Sequence, residues 1–350
     1  MRRRCPGTQH TQGGFPRKTT GSRSGKQSYS PVRWPALCHH ATSCRQPEQV
    51  NYRHQRTEPS MSDKILRAAV IQQQAWPEKN ASLDETERLL SQLADSHAPQ
   101  LVLLQELHGT HYFCQTEDTS VFDLAEPLDG PTARRLSAMA KQYNCVLVGG
   151  IFEKRAPGIF HNTGLVFEPD GSLAGTYRKM HIPDDPAFYE KFYFTPGDAQ
   201  RTDGSSGFTP IPTSVGKLGL LICWDQWYPE AARLVALAGA DILLYPTAIG
   251  WDPHDEPEEQ QRQKDAWQTI QRAHAVANHL PVLVANRTGF EPSPDPAASG
   301  IRFWGGSMIV GQQGNTLVES GVDESGWLVS DIDLGRTEYL RRIWPYFATA

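Results

Sequence analysis

The sequence lacks the features that mark several common classes of protein. Its six cysteines form no Cys-x-x-Cys pair and show no Cys/His spacing typical of a zinc site. No apolar run approaches the roughly 18 residues of a membrane-spanning helix, and no apolar segment follows the basic start. Glycine-rich phosphate loops and internal repeats are also missing. We therefore expect no metal site, disulfide framework, nucleotide loop or membrane span, and a reducing, cytoplasmic location.

Acidic residues are scarce at the start of the chain and abundant afterwards. Residues 1–60 hold 11 Lys and Arg against 2 Asp and Glu, or +9; subtracting from 34 and 39 leaves 23 and 37, or −14, for residues 61–350. Segment 1–60 has too few aliphatic residues to offset the entropy of ordering, so we predict that it is disordered. It could be a transit peptide, a nucleic-acid-binding arm or an extension upstream of a start at Met61. We favour the extension, because a strong strand follows Met61 directly, and expect no nucleic-acid partner.

Strands alternate with helices from residue 65 onward, and 39% hydrophobic content is enough for a sizeable core. The pattern predicts one α/β domain over residues 61–350, with two sheets flanked by helices. The predicted strands are 65–73, 101–104, 145–151, 163–168, 173–177, 218–223, 242–245, 282–285, 307–310, 316–318 and 328–332. The predicted helices are 78–94, 131–143, 229–238 and 258–278.

Three short stretches place a reactive side chain at the carboxyl end of an apolar strand, which is where sites in α/β sheets usually lie. Cys223, in GLLICWDQWYPE, sits where a strand turns sharply into a helix, so its thiol can reach substrate beside free backbone amides. Glu106, in LVLLQE, can act as a general base if its hydration is restricted. Lys179, in TYRKMHIPDD, can stabilise an oxyanion.

Each of these residues, taken alone, has a commoner structural explanation. Cysteine is often a small buried side chain, as we expect for Cys145 within CVLVGG, and most strand-end glutamates and lysines are solvated. Asn162 and Asn286 are predicted to satisfy backbone groups at turns. His181 is interpreted as a loop residue and not as part of a Cys–His dyad.

The three motifs together resemble those of the nitrilase superfamily of carbon–nitrogen hydrolases, whose signature is a Glu–Lys–Cys triad in this chain order. The motifs are LLQELHGTHYFCQ, YRKMHIPDDPAFYEKFYFTPGD and LLICWDQWYPEAARLVALAGADILLYPTAIG, and the resemblance covers residues 65–346. It implies a four-layer α-β-β-α sandwich, a covalent thiol mechanism without metal or organic cofactor, and a homo-oligomer.

The resemblance also implies a role for each site residue. Glu106 would take the thiol proton, Cys223 would attack the carbamoyl carbon, and Lys179 and the backbone N–H of Trp224 would hold the oxyanion. Glu190, in FYEKFYF, matches a second glutamate that supports the site in related enzymes. Its structural alternative is an ion pair with a neighbouring base.

The runs PDDPAFYEKFYFTPGD, YPTAIGWDP and GIRFWGGS are most similar to the branch of the family that hydrolyses N-carbamoylputrescine to putrescine, carbon dioxide and ammonia, on the agmatine route to polyamines. Such a substrate carries an ammonium far from its ureido group, so we expect an acid and aromatic walls. The candidate acids are Asp184, Asp185, Asp252 and Glu256, and the candidate walls are Tyr112, Phe113, Tyr189, Trp251 and Trp304.

Other functions remain open at this stage. A β-ureidopropionase, an N-carbamoyl-D-amino-acid hydrolase, an ω-amidase and a true nitrilase share the triad, and those acting on carboxylates would need a basic clamp in place of the acid. A catalytically inactive binding or assembly protein is the alternative from a different class.

Overall fold

The computed structural model describes residues 64–200 and 204–347, so our expectation for residues 1–60 lies outside the described residues. The described strands are β1 (Ile65–Gln72), β2 (Leu101–Leu103), β3 (Val146–Ala156), β4 (Ile159–Phe167), β5 (Leu173–Arg178), β6 (Ile211–Thr213), β7 (Gly216–Leu220), β8 (Ile242–Pro246), β9 (Gly250–Trp251), β10 (Val282–Ala285), β11 (Thr288–Glu291), β12 (Ile301–Trp304), β13 (Met308–Val310), β14 (Thr316–Glu319) and β15 (Gly326–Asp333). The described helices are α1 (Lys79–His97), α2 (Pro131–Tyr143), α3 (Glu190–Tyr193), α4 (Pro229–Leu237), α5 (Pro257–Asn278) and α6 (Gly335–Ile343).

The first sheet has the strand order β15-β1-β2-β3-β4-β5. Strands β1, β2 and β3 are parallel, and β4 is antiparallel to both β3 and β5. Strand β5 therefore runs in the same direction as β2. Their carboxyl ends lie at the same edge of the sheet, which brings together residues that are far apart in sequence.

The second sheet has the order β14-β13-β10-β8-β7-β6. Strands β7, β8 and β10 are parallel, so the loops that follow them also share one edge. A third, three-stranded sheet, β11-β12-β9, is built from the segments that follow β8 and β10.

The alternation of side chains along the strands produces four layers. In β1 and β2, Ala68 and Leu101 face the second sheet, whereas Ala69 and Val102 belong to the cluster beneath α1 and α2. Helices α4 and α5 pack against the second sheet. The result is the α-β-β-α sandwich that was predicted from the sequence.

Gly164 in β4 lies where the two large sheets approach closely. A β-carbon at this position would stand 2.7 Å from Cδ2 of Leu220 and 3.5 Å from Cδ1 of Ile222. Both of these side chains come from the segment that leads to Cys223. The absence of a side chain at Gly164 therefore lets the two sheets pack at this distance.

Every strand and helix predicted from periodicity is present, with shifted ends. The strand predicted over 218–223 ends at Leu220, and Cys223 begins a 3₁₀ turn, Cys223–Trp227. The prediction missed β6, β9, β11 and β12, which are two to four residues long and too short to show a period, and it also missed the helices α3 and α6. Within the described ranges, no helix is long and apolar enough to cross a membrane.

Candidate active site

Glu106 and Lys179 meet at the edge of the first sheet formed by the carboxyl ends of β2 and β5. Glu106 lies three residues after β2, and Lys179 directly follows β5. Both side chains are fully buried, and Nζ of Lys179 lies 2.8 Å from Oε1 of Glu106. The sheet direction explains why two residues 73 positions apart form a buried ion pair.

Glu190, the first residue of α3, binds the same lysine. Nζ of Lys179 lies 2.7 Å from Oε2 and 3.0 Å from Oε1 of Glu190, and the Tyr112 hydroxyl donates to Oε1 at 2.7 Å. Burial lowers the pKa of Lys179, but Glu106 and Glu190 outweigh it and hold the pKa well above its usual value. Burial raises the pKa of Glu190 to about 7, although Lys179 acts in the opposite direction.

Cys223 occupies a sharp turn between β7 and α4. Its φ of +44° lies in the left-handed region, which a non-glycine residue rarely adopts. The turn is held by Asp225, whose carboxylate accepts the N–H of Ile222 at 2.9 Å and the hydroxyl of Tyr177 at 2.8 Å. The sequence-predicted elbow is therefore present, and the residue at its tip is the cysteine.

The surroundings of the Cys223 thiol favour its neutral form. Burial raises its pKa well above the usual value; Glu106 and Glu190 raise it further, and Lys179 opposes them. Its Sγ lies 3.8 Å from the carbonyl oxygen of Ala248. A base is needed to form the thiolate, and Oε2 of Glu106 is buried without a hydrogen-bond partner among the described residues.

Asn162 completes the surroundings of Glu106. Its Nδ2 donates to Oε1 of Glu106 at 2.6 Å, so this oxygen accepts from both Asn162 and Lys179. The expectation that Asn162 satisfies turn backbone groups was wrong, because the residue lies inside β4 and points its amide at the carboxylate. Asn286, as expected, binds backbone: its amide contacts the N–H and C=O of Ile249.

His181 belongs to the loop that follows Lys179, and its partner is Asp225. Nδ1 lies 2.6 Å from Oδ1 of Asp225, and the ring stacks on Tyr228 with centroids 3.7 Å apart. Because Asp225 also holds the turn of Cys223, His181 acts on the elbow through this carboxylate.

A cavity of about 440 Å³ opens onto Cys223. Carboxylates contribute to its wall through Asp185 and Glu190, and most of the remaining lining is apolar or aromatic. No Lys or Arg is among the described residues that line it. The lining residues are Pro183, Asp185, Phe188, Glu190, Cys223, Trp224, Trp227, Ala248, Ile249, Gly250, Gln263, Ala266 and Trp304.

Of the side chains that the sequence suggested as aromatic walls, the structure places Trp304 on this cavity. Trp251 packs against Trp304, with ring centroids 5.3 Å apart, and Tyr112 lies behind Glu190. Phe113 stacks on Phe152 in a separate aromatic cluster. Trp251 and Tyr112 therefore support residues of the cavity wall, and Phe113 lies away from it.

The candidate acids also lie at different places, either on the cavity of Cys223 or away from it. Asp185 lines the cavity of Cys223, whereas Asp184 is exposed, with Lys191 3.7 Å away. Asp252 and Tyr189 line a neighbouring cavity of about 610 Å³. Glu256 precedes α5 and lines neither cavity. Trp224, whose backbone N–H was suggested for the oxyanion, lies on the cavity wall beside Cys223.

The described residues contain no group of three or more His, Cys, Asp or Glu side chains that could hold a metal ion. The cavity is lined by the thiol-bearing Cys223 and by Glu190, which binds the ammonium group of Lys179.

The fold and this constellation define a carbon–nitrogen hydrolase. The chain belongs to the carbon–nitrogen hydrolase family, whose model matches residues 67–342. This confirms the resemblance to the nitrilase superfamily drawn from the three motifs.

The chain is similar to an N-carbamoylputrescine amidase and to a citrullinase. An N-carbamoylputrescine amidase of Solanum tuberosum is 36% identical over 287 residues, covering 81% of this chain and 92% of the relative. A citrullinase of Francisella tularensis is 36% identical over 283 residues, covering 81% and 94%. The crystal structure of a carbon–nitrogen hydrolase from Helicobacter pylori is 49% identical, with a TM-score of 0.77, covering 82% of this chain and 95% of that one.

Proposed function

We propose that the protein is a thiol amidohydrolase that hydrolyses N-carbamoylputrescine to putrescine, carbon dioxide and ammonia. In this proposal Cys223 is the nucleophile, Glu106 the general base, and Lys179 with the N–H of Trp224 stabilises the oxyanion. The geometry of the buried lysine between two carboxylates, beside a thiol on a strained turn, supports the chemistry.

In the first step, Oε2 of Glu106 takes the thiol proton as Sγ of Cys223 attacks the carbamoyl carbon. This oxygen is free to do so, because the hydrogen bonds from Lys179 and Asn162 go to Oε1. The carbonyl oxygen becomes an oxyanion beside the ammonium of Lys179, whose raised pKa keeps it charged.

In the second step, the tetrahedral intermediate breaks one carbon–nitrogen bond. Glu106 returns its proton to the departing nitrogen, which leaves as a neutral amine, and a thiocarbamate ester of Cys223 remains. Glu106 then deprotonates a water that attacks the ester, so the thiol is regenerated and the resulting carbamic acid releases carbon dioxide and the second amine.

Asp185 is the observation that supports a cationic substrate. Asp185 lines the cavity and is half-buried, and its carboxylate has no hydrogen bond or ion pair among the described residues. An ammonium at the far end of a ureido substrate would provide the missing partner. Trp227 and Trp304 line the same cavity and offer aromatic faces to the methylene chain.

The same cavity disfavours a substrate with a carboxylate. Citrulline has a ureido group and an ammonium, as N-carbamoylputrescine has, but carries a carboxylate on the carbon that bears the ammonium. No described Lys or Arg lines the cavity to bind that carboxylate, and Asp185 would repel it. N-carbamoyl-β-alanine, the β-ureidopropionase substrate, lacks the ammonium altogether.

The test is ammonia release from N-carbamoylputrescine, citrulline and N-carbamoyl-β-alanine under identical conditions. We expect the highest kcat/KM with N-carbamoylputrescine. In Asp185→Asn, KM for this substrate should rise about 10- to 100-fold, the loss of one charge-assisted hydrogen bond. The neighbouring Asp184→Asn is the matched control and should leave KM unchanged, because Asp184 is exposed and does not line the cavity. A preference for either carboxylate substrate contradicts the proposal.

A further inference from the structure

Arg287, between β10 and β11, is fully buried and binds the loop that follows Glu106. Its Nη2 donates to the carbonyl oxygens of Glu106 at 2.8 Å and Leu107 at 3.0 Å, and Nη1 donates to that of Thr110 at 3.2 Å. The guanidinium also lies 5.1 Å from the ring of Phe303. A single side chain therefore satisfies three carbonyls of one loop.

The carbonyls are held where the backbone is strained. Leu107 has a φ of +46°, in the left-handed region that branched side chains avoid. The strained residue directly follows the proposed general base. Without the guanidinium, the carbonyls of Glu106 and Leu107 would lack these hydrogen bonds in a dry interior, and the loop would relax to other dihedral angles.

Glu291, four residues after Arg287, joins the guanidinium to the other side of the site. Its Oε1 lies 2.7 Å from Nη1 of Arg287, and its Oε2 accepts the backbone N–H of Tyr112 at 2.5 Å. The hydroxyl of Tyr112 in turn donates to Glu190. Both members of the Arg287–Glu291 pair are fully buried.

We propose that the Arg287–Glu291 pair is a positioning device that sets the separation of Glu106 and Glu190 on either side of Lys179. Arg287 fixes the backbone that carries Glu106, and Glu291 fixes the tyrosine that orients Glu190. Neither residue lines the cavity, so the pair acts through these two carboxylates. The proposal rests on the hydrolase mechanism given above.

Arg287→Lys tests the pair, because a lysine keeps the charge but cannot reach three carbonyls with a planar fork. We expect kcat for N-carbamoylputrescine to fall about 10- to 100-fold with KM little changed, since displacement of a catalytic group by about 1 Å costs about that much. The rate of iodoacetamide alkylation of Cys223 should fall about tenfold near neutral pH and recover at alkaline pH, where solvent hydroxide replaces the misplaced base.

Leu93→Ala is the matched control for a loss of stability alone. Leu93 is fully buried in α1, in the cluster on the other face of the first sheet. Its truncation should lower the melting temperature without changing kcat or the alkylation rate of the folded protein. If Arg287→Lys behaves like Leu93→Ala in both assays, the pair is merely structural and the proposal is overturned.

Glu291→Gln provides the second variant, since it keeps an acceptor for Tyr112 and removes the charge opposite Arg287. In Glu291→Gln we expect a fall of kcat smaller than the one predicted for Arg287→Lys, with KM unchanged and slower alkylation of Cys223. This result supports the proposal even if Arg287→Lys does not fold. Wild-type rates in Glu291→Gln contradict it. The alkylation assay needs no substrate, so a protein inactive on N-carbamoylputrescine refutes the proposed substrate and leaves the test of the pair intact.

Discussion

Lys179 and Glu190 form a fully buried ion pair with Nζ 2.7 Å from Oε2, although Glu106 already lies 2.8 Å from the same nitrogen. One positive charge thus faces two carboxylates in the absence of bulk water. Burial raises the pKa of Glu190 to about 7, as expected where two buried carboxylates share one cation. Glu190 therefore exchanges its proton within the physiological pH range, while Lys179 stays charged.

Replacement of Glu190 by glutamine should change how stability depends on pH. Because the pKa is raised from 4.5 to about 7 in the folded protein, the bound proton contributes stability that is complete below pH 4.5 and is lost as the pH rises through 7. The free energy of unfolding of the wild type, relative to Glu190→Gln, should fall by about 3 kcal/mol across this range. Urea unfolding of both proteins at several pH values measures this difference in the free energy of unfolding.

The control for this prediction is Glu117→Gln, an exposed glutamate outside the cavity of Cys223. Because Glu117 is exposed, its replacement should change the free energy of unfolding by less than about 0.5 kcal/mol at each pH. If the difference in the free energy of unfolding between Glu190→Gln and the wild type does not change with pH, Glu190 does not retain a proton in the folded protein.

Replacement of Lys179 by methionine should abolish activity and destabilise the protein by about 3–5 kcal/mol near pH 8, because two buried carboxylates lose their counter-ion. The loss should be smaller near pH 5.5, where Glu190 is protonated. Urea unfolding at both pH values measures this. Lys191→Met is the matched control: its ion pair with Asp184 is exposed and 3.7 Å long, so less than about 1 kcal/mol is expected. An equal loss in both variants contradicts the prediction.

Replacement of Cys223 by serine should lower kcat at least about 1,000-fold, because the hydroxyl is a poorer nucleophile and its proton is harder to remove. Mass spectrometry after iodoacetamide treatment should find the label on Cys223. Cys145 is the control: it is fully buried and does not line the cavity of Cys223, so it should resist labelling, and Cys145→Ala should keep its activity. Activity in Cys223→Ser would refute the thiol mechanism.

Replacement of Asp225 by asparagine should loosen the turn of Cys223. The NH2 group of the amide would face either the donors of Ile222 and Tyr177 or that of His181, so we expect a destabilisation of about 1–3 kcal/mol and slower alkylation of Cys223. Thermal melting measures the destabilisation, and the rate of alkylation by iodoacetamide measures the effect on Cys223. Asp252→Asn, an exposed aspartate, should change neither. An unchanged alkylation rate in Asp225→Asn would mean that the turn holds without this carboxylate.

The sequence revealed the parts of the site that depend on local pattern. Glu106, Lys179 and Cys223 each follow a predicted strand, and the resemblance of their three motifs to a Glu–Lys–Cys triad implied that they share one site. The alternation of strands and helices predicted two sheets flanked by helices, and the resemblance implied the four-layer order. The left-handed conformation of Cys223 was not predicted, but the abrupt passage from strand to helix indicated an elbow there.

The remaining features depend on contacts between distant segments. Asn162 reaches Glu106 across 56 positions and Arg287 reaches it across 181, and neither residue has a local pattern that indicates a partner. Asp184 and Asp185 are adjacent in sequence, and only the course of the loop decides which of the two residues lines the cavity. The small sheet that contributes Trp304 is built from strands too short to show a period.

Gly164 shows how catalysis can depend on a residue that touches no reacting group. Glu106 and Lys179 follow strands of one sheet and Cys223 follows a strand of the other, so the reach from base to nucleophile equals the gap between two independently hydrogen-bonded sheets. At Gly164 the gap is small, because a β-carbon there would stand 2.7 Å from Cδ2 of Leu220. A partly folded chain in which only one of the two sheets has formed would hold an incomplete triad. Turnover therefore requires that both sheets have formed and packed against each other.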